Sequence, residues 1–161
     1  MKMRKFFAML MMAVAATSMA ACSDDDDKKV ATSDIVGRYA GSIDVTIGTT
    51  IQFPNTGWAI TTTTSADTFK VTTDTLNVQG QNLVINLKAS EAEVVIGSNG
   101  EQVDFRIPAQ TTLTAVGLLS ITSGHGIYLP STGKMTIDAG GTMNMGTAIS
   151  FSVSLDGNKN K

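Results

Sequence analysis

The sequence predicts an all-β domain that folds as a single antiparallel meander β-barrel of about eight strands. Apolar and polar side chains alternate over short runs, as around Ile43 and Val45, which is the pattern of a half-buried strand. Clusters of turn-forming residues separate these runs, and after residue 30 no apolar face recurs at helical spacing over more than about two turns. The same strands could also pack as a β-sandwich, which is the alternative fold.

The alternation recurs along most of the chain beyond residue 38. The runs are 39–47, 58–64, 69–72, 83–87, 103–107, 135–137 and 149–155. Predicted turns lie at 54–57, 97–100, 131–133 and 139–141, and the pair Asn99 and Gly100 is the strongest hairpin signal. We expect the first run to pair with the last, because this pairing closes the sheet and protects two apolar-faced strands from aggregation.

Residues 1–21 are predicted to be a lipoprotein signal peptide. Lys2, Arg4 and Lys5 precede an uncharged apolar run at 6–16, which leads into small residues at 17–21. The whole stretch from 6 to 21 has sixteen residues, fewer than the ~20 that a helix needs to cross a bilayer. The pattern therefore indicates a cleavable signal and not a membrane span.

The segment that ends at Cys22 has the form of a lipoprotein processing site. Cys22 is the only cysteine, so no intramolecular disulfide can form. Met19, Ala20, Ala21 and Cys22 resemble the lipobox of bacterial lipoproteins, although Met19 stands where that family usually has Leu. The resemblance implies acyl chains on Cys22, and two or three chains on one residue anchor a protein stably in a membrane. A free thiol behind an ordinary cleavage site is the alternative.

Residues 22–33 are predicted to carry this anchor and an acidic tether. Adjacent like charges favour an extended chain, and the acidic run consists of Asp24, Asp25, Asp26 and Asp27. An acidic run directly after a lipidated cysteine resembles the export signal of surface lipoproteins in the Bacteroidetes. It implies the outer membrane and the cell surface, with the periplasmic face as the alternative. Residues 24–28 also spell a cleavage site used in expression tags, but no vector sequence accompanies them.

Residues 34–157 are predicted to form the barrel domain, and 158–161 a polar tail. Beyond residue 29 the chain has seven Lys and Arg against ten Asp and Glu. Without a basic stripe, a protein releases few counterions from nucleic acid phosphates. The composition therefore excludes a nucleic-acid-binding function.

Three segments of this domain resemble the calycin-like β-barrel domain found in Bacteroidetes lipoproteins. They are "VGRYAGSIDV" at 36–45, "GKMTIDAGGTMNMG" at 133–146 and "ISFSVSLDGNK" at 149–159. The resemblance covers essentially the whole mature domain and implies a lipocalin-like meander barrel without catalytic residues. Tyr39 stands where lipocalins place the Trp of a Gly-x-Trp motif.

The only histidine is His125, which excludes a zinc site built from several histidines. The surrounding segment 123–126 lacks the central Ser of a nucleophile elbow, and no helical pattern follows it. We interpret His125 as a turn or strand-edge imidazole. A hydrolase that uses His125 as its base is the third functional hypothesis.

The densest acidic group after the tether consists of Glu91, Glu93, Glu101 and Asp104. Alternation with Ala92 and Val94 predicts that Glu91 and Glu93 lie on a solvated strand face, with a weak calcium site or a glycosidase pair as alternatives. We expect no catalytic residue, no cofactor and no metal.

The remaining functional candidates are aromatic side chains that could line a barrel interior: Trp58, Phe69, Phe105, Tyr128 and Phe151. An eight-stranded barrel is either packed solid or holds one small ligand. The leading hypothesis is a noncatalytic, lipid-anchored outer-membrane protein that binds a small apolar ligand. The alternative is a structural or adhesive surface module that contacts protein or glycan through its outer strands. The sequence does not determine the oligomeric state.

Overall fold

The computed structural model describes residues 32–65, 68–98 and 100–161. The predicted signal peptide, Cys22 and the acidic run 24–27 lie outside the described residues. One helical turn, α1 (Thr32–Ile35), precedes eleven strands. The strands are β1 (Gly37–Ile47), β2 (Thr49–Thr62), β3 (Thr68–Thr73), β4 (Leu76–Val78), β5 (Gln81–Leu83), β6 (Asn86–Gly97), β7 (Gly100–Ile107), β8 (Gln110–Thr114), β9 (Gly117–Leu129), β10 (Lys134–Asn144) and β11 (Ala148–Lys159). No helix in these ranges is long and apolar enough to cross a membrane.

Eight of the strands form a closed antiparallel ring in the order β1, β2, β3, β6, β7, β9, β10 and β11. The ring closes where β11 pairs with β1, from Lys159 opposite Tyr39 to Phe151 opposite Ile47. Strand β8 pairs with β9 outside the ring, and β4 and β5 form a separate hairpin. The all-β class, the barrel of about eight strands and the pairing of the first run with the last are confirmed.

Two of the predicted turns are wrong, because residues 54–57 lie within β2 and residues 139–141 lie within β10. The pairing of β1 with β2 shifts at the first cluster, where Asn55 has a φ of 54°. The pairing of β9 with β10 shifts between Gly140 and Gly141. Bulges bend a strand without ending it, so these turn-forming residues mark bends in continuous strands.

Strand β9 was not found from the sequence, because glycine occupies positions that face the core. Gly124 and Gly126 pair with the buried residues Ile107 and Phe105 of β7. A Cβ added at Gly126 would overlap the ring of Phe105, which fills the space that a side chain would use. The apolar alternation therefore disappears from the sequence although the face is buried.

The interior of the ring is filled by apolar side chains from every strand of the ring. The ring of Tyr39 stacks on Trp58 with 5.9 Å between centroids and meets the edge of Tyr128 at 6.3 Å. Phe69 and Phe105 pack edge to face at 4.9 Å. Such contacts add to the free energy of area burial, by about 0.5–1.5 kcal/mol per pair.

Both ends of the barrel are covered. At the end where β1 begins, Ile35 of α1 is fully buried, and the Tyr39 hydroxyl donates a 2.7 Å hydrogen bond to its carbonyl oxygen. At the other end the β4–β5 hairpin buries Leu76, Val78 and Leu83 and reaches the β1–β2 turn near Ile47. Strand β11 runs to Lys159, two residues past the boundary that the sequence indicated at Gly157.

We predict that Gly126→Ala lowers the free energy of unfolding by about 1–3 kcal/mol, because the new methyl group overpacks against the Phe105 ring. Urea denaturation measures the change. The matched control is Gly140→Ala, whose added Cβ would lie 3.7 Å from the Phe151 carbonyl oxygen, in ordinary contact. The control should stay within about 0.5 kcal/mol of the wild type, and equal losses for both variants would contradict this account of β9.

We also predict that stability falls at alkaline pH through Tyr39. Burial, and to a smaller extent the neighbouring Tyr128, raise the pKa of Tyr39 above its usual range. The unfolded chain loses this proton near the ordinary tyrosine pKa of about 10, while the folded protein keeps it. Stability is therefore full below about pH 10 and falls as the pH rises above that value.

Thermal melts between pH 8 and pH 11 test this dependence. Tyr39→Phe should weaken the alkaline slope, and at neutral pH it should cost about 1 kcal/mol through the lost hydrogen bond to Ile35. An alkaline slope that is the same in the variant and the wild type would assign the effect to other groups.

Candidate functional site

The five aromatic residues proposed from the sequence all lie inside the barrel. They are Trp58, Phe69, Phe105, Tyr128 and Phe151, each at most 6% exposed. A pocket at the barrel mouth, bounded by Val78 and Met145, has a volume of about 50 Å³, well below the roughly 300–1,000 Å³ of small-molecule sites. A ligand among the five aromatics stays a prediction.

A larger space lies on the outside of the barrel. An open groove of about 490 Å³ crosses the outer face of β1, β11, β10 and β9. We call it the wall groove. Its lining includes Asp44, Thr46, His125, Asp138, Gly140, Ser152 and Ser154. This volume falls within the range of small-molecule and side-chain binding sites.

Strand register places polar residues of the wall groove in one row across four strands. Asp44 lies opposite Ser154, Ser154 opposite Asp138, and Asp138 opposite His125. Neighbouring strands are about 4.8 Å apart, so Asp44 and Asp138 stand about 10 Å apart, with Ser154 between them.

The groove exists because the adjacent outward-facing row, two residues away along each of the four strands, has short side chains or none. Thr46 lies opposite Ser152, Ser152 opposite Gly140, and Gly140 opposite Ser123. Gly140 has no side chain and ample room above it, since only the Phe151 carbonyl lies within 4 Å of an added Cβ. The wall is therefore lowest at Gly140, which lies two residues from Asp138 on the same strand.

The two carboxylates of the wall groove have no cationic partner within the described ranges. The Oδ1 atom of Asp44 is buried and has no hydrogen-bond partner there, and its Oδ2 accepts only a long bond, 3.4 Å, from Gln52 Nε2. Three other carboxylates of the barrel are paired, namely Asp74 with Arg38, Glu91 with Arg106 and Asp156 with Lys134. The negative charge of the groove is thus left uncompensated.

The interpretation of His125 as a turn or strand-edge residue is wrong. His125 lies inside β9, between Arg106 on β7 and Asp138 on β10, and is exposed to solvent. Ser154 lies two strands away, about 10 Å from His125 by strand spacing. A hydroxyl nucleophile and its base need hydrogen-bond contact, so this row does not form a Ser–His pair.

A second groove, of about 380 Å³, lies on the other side of His125. Glu91 and Glu93 both line it and are both exposed, but a bulge interrupts their strand, and Glu91 has a positive φ of 56°. Glu93 lies directly opposite Asp104, while Glu101 lies near the hairpin tip. Among the described residues, no group of three or more His, Cys, Asp or Glu is arranged to hold a metal ion.

Sequence reasoning did not single out Asp44, Asp138 or Ser154. Each occupies an outward position of an alternating run, which is the position where exposed polar residues are expected anyway. Only the register of four strands brings them into one row, and register between distant strands is not readable from one sequence.

Comparison with known proteins found no matching family model, no similar curated protein and no similar solved structure. The resemblance to calycin-like lipoproteins therefore stays a prediction.

We predict that Glu91→Gly raises the free energy of unfolding by up to about 1 kcal/mol. A side chain in the left-handed region costs roughly 1–2 kcal/mol that glycine avoids, and the exposed pair with Arg106, at 3.6 Å, adds at most about 1 kcal/mol. The matched control is Glu93→Gly, at ordinary strand geometry, which should lose about 0.5–1 kcal/mol. Denaturation midpoints that move in the same direction for both variants would refute the strain at Glu91.

Proposed function

We propose that the protein is a noncatalytic lipoprotein of the outer membrane, anchored through acyl chains on Cys22 and displayed at the cell surface. Its barrel serves as a rigid module that contacts a partner through its outer strands. The resemblance of its three segments to calycin-like lipoproteins supports the class of protein, and the wall groove supports the mode of contact.

One observation favours the outer wall over the barrel interior as the contact surface. The groove on the outside of the barrel has far more free volume than the apolar pocket at the barrel mouth. The wall groove has about 490 Å³, against about 50 Å³ for the apolar pocket at the barrel mouth. Packed aromatic rings occupy the interior, and α1 and the β4–β5 hairpin cover the two ends. A partner at the wall meets preformed space, whereas a ligand in the interior has to displace core side chains.

The attachment point of the domain also suits an anchored module. The described chain begins at Thr32, where α1 packs beside the start of β1, so the predicted tether joins the barrel at one end. The ten residues 22–31 could span roughly 35 Å when extended. The wall groove lies on the side of the barrel, and its lining does not include α1, the first element after the predicted tether.

A small ligand in the interior is the second candidate function, and one observation favours it. Trp58 is fully buried, and its indole Nε1 has no hydrogen-bond acceptor among the described residues. Buried donors are normally paired, and a carbonyl or hydroxyl group of a small molecule would supply the missing acceptor.

We predict that Cys22→Ala moves the protein from the membrane to the soluble fraction, because no acyl chain can then be attached. Mass spectrometry of the wild-type protein should show the acyl groups on Cys22. Changing residues 24–27 to Asn should leave the protein membrane-bound but protect it from protease added to whole cells. A Cys22→Ala protein that stays membrane-bound would refute the anchor. A protein with Asn at 24–27 that is still cleaved by protease added to whole cells would refute the export signal.

The same membrane preparations test the contact surface. Native mass spectrometry should show a bound partner on the wild type and not on Gly140→Val, which fills the wall groove with a residue of high β propensity. A partner that is kept by Gly140→Val but lost in Trp58→Phe would favour the interior instead.

A further inference from the structure

We propose that the wall groove binds a basic segment of a partner protein, with one cationic side chain at Asp44 and a second at Asp138. The proposal rests on the proposed function in taking the wall groove as the contact surface, and it adds the chemistry of the partner. It is carried by the uncompensated charge of the groove, the spacing of its two carboxylates and the hydrogen-bonding groups between them.

The first step concerns charge. Asp44 is half-buried, its Oδ1 is buried without a donor, and its Oδ2 has one long hydrogen bond from Gln52. A carboxylate removed from water without a cation or donors is costly. A guanidinium or ammonium group beside it compensates the charge and supplies donors, whereas a neutral hydroxyl supplies a donor only.

The second step concerns which carboxylates of the barrel already have a cationic partner. The acidic groups Asp74, Glu91 and Asp156 already have an Arg or Lys within 3.6 Å. Asp34, Glu93, Glu101 and Asp104 also have no Arg or Lys partner among the described residues, but of all these unpaired carboxylates only Asp44 and Asp138 line the wall groove. They also lie on the same side of the barrel wall and in one open groove.

The third step concerns spacing. Asp44 and Asp138 are separated by two strand steps, about 10 Å. A metal ion or a single ammonium group cannot contact both carboxylates across that distance, because such contacts are about 2–3 Å long. In an extended peptide, residues i and i+2 project to one side about 6.6–6.8 Å apart. The long, flexible side chains of Arg and Lys can spread apart to reach the two carboxylates, which are about 10 Å apart. Two cations at i and i+2 therefore match the groove.

The fourth step concerns the floor of the groove. The Ser154 hydroxyl lies between the two acidic positions, the Ser152 hydroxyl lies in the neighbouring row, and both can accept or donate hydrogen bonds. The missing side chain at Gly140 lets a peptide backbone approach the wall. Among the described residues, the groove lining contains no Trp, Tyr or Phe side chain on which a sugar ring could stack. These features favour a peptide over a glycan.

The test titrates three peptides into the folded domain and follows backbone amide shifts by NMR. The peptides are acetyl-Arg-Ser-Arg-amide, acetyl-Arg-Ser-Ser-amide and acetyl-Glu-Ser-Glu-amide. The first should shift amides of β1, β10 and β11 around the wall groove, the second should bind several-fold more weakly, and the third should not bind. Raising the salt from 50 to 500 mM should weaken the first peptide further, because exposed ion pairs are screened.

Charge variants locate the contacts. Asp44→Asn and Asp138→Asn should each weaken the first peptide about 2- to 5-fold, as expected for partly exposed ion pairs, and together by about the product. Glu101→Gln removes the same charge at the β6–β7 hairpin tip, away from the groove, and should leave the affinity unchanged. Gly140→Val keeps both carboxylates and should abolish binding sterically, so the test does not depend on the folding of the Asp variants.

Three outcomes would overturn the proposal: equal binding of the first two peptides, an equal loss in Glu101→Gln, or shifts away from the groove. A neutral oligosaccharide that shifts the groove amides and is insensitive to both Asp variants would also overturn it, yet leave the proposed wall contact standing. If Gly140→Val changes neither the peptide titration nor the native partner, the proposed function fails as well.

Discussion

The pairing of β1 with β11 is the constraint on which the rest of the structure depends. It joins the first and last strands of the ring over nine residue pairs and turns an open meander into a closed ring. Gly41 lies opposite Gly157 in this pairing, and a Cβ at either position would collide with the backbone of the other strand. Without the pairing of β1 with β11, these two long strands with buried apolar faces would become open edges, which are prone to aggregation.

Closure decides which side of the wall is available for function. An eight-stranded ring has an interior just wide enough for side chains, and here Trp58, Tyr39 and Phe105 pack against aromatic neighbours within it. The first helical turn and the β4–β5 hairpin add Ile35, Leu76, Val78 and Leu83 to the same core. Binding in the interior competes with this packing, whereas binding on the outside leaves it intact.

The outer wall owes its groove to the same register that closes the ring. Small residues on β9, β10 and β11 come side by side because these strands pair along almost their full length. The row from Asp44 to His125 follows the same pairing, and it leaves two carboxylates without a cationic partner among the described residues, beside a lowered part of the wall. A rigid sheet holds such a row at fixed spacing, which favours a partner with charges at matching intervals.

The sequence by itself determined the all-β class, the number of strands in the ring and its closure, because alternation over 39–47 and 149–155 reports local burial. It also predicted a lipid anchor at Cys22, a prediction that rests on a local motif outside the described residues. It misplaced the turns at 54–57 and 139–141 and missed β9, because a bulge and an inward glycine look like a turn when the facing strand is unknown. Only the tertiary structure decided that Asp44, Ser154, Asp138 and His125 share a row, since cross-strand register depends on contacts between segments up to about a hundred residues apart.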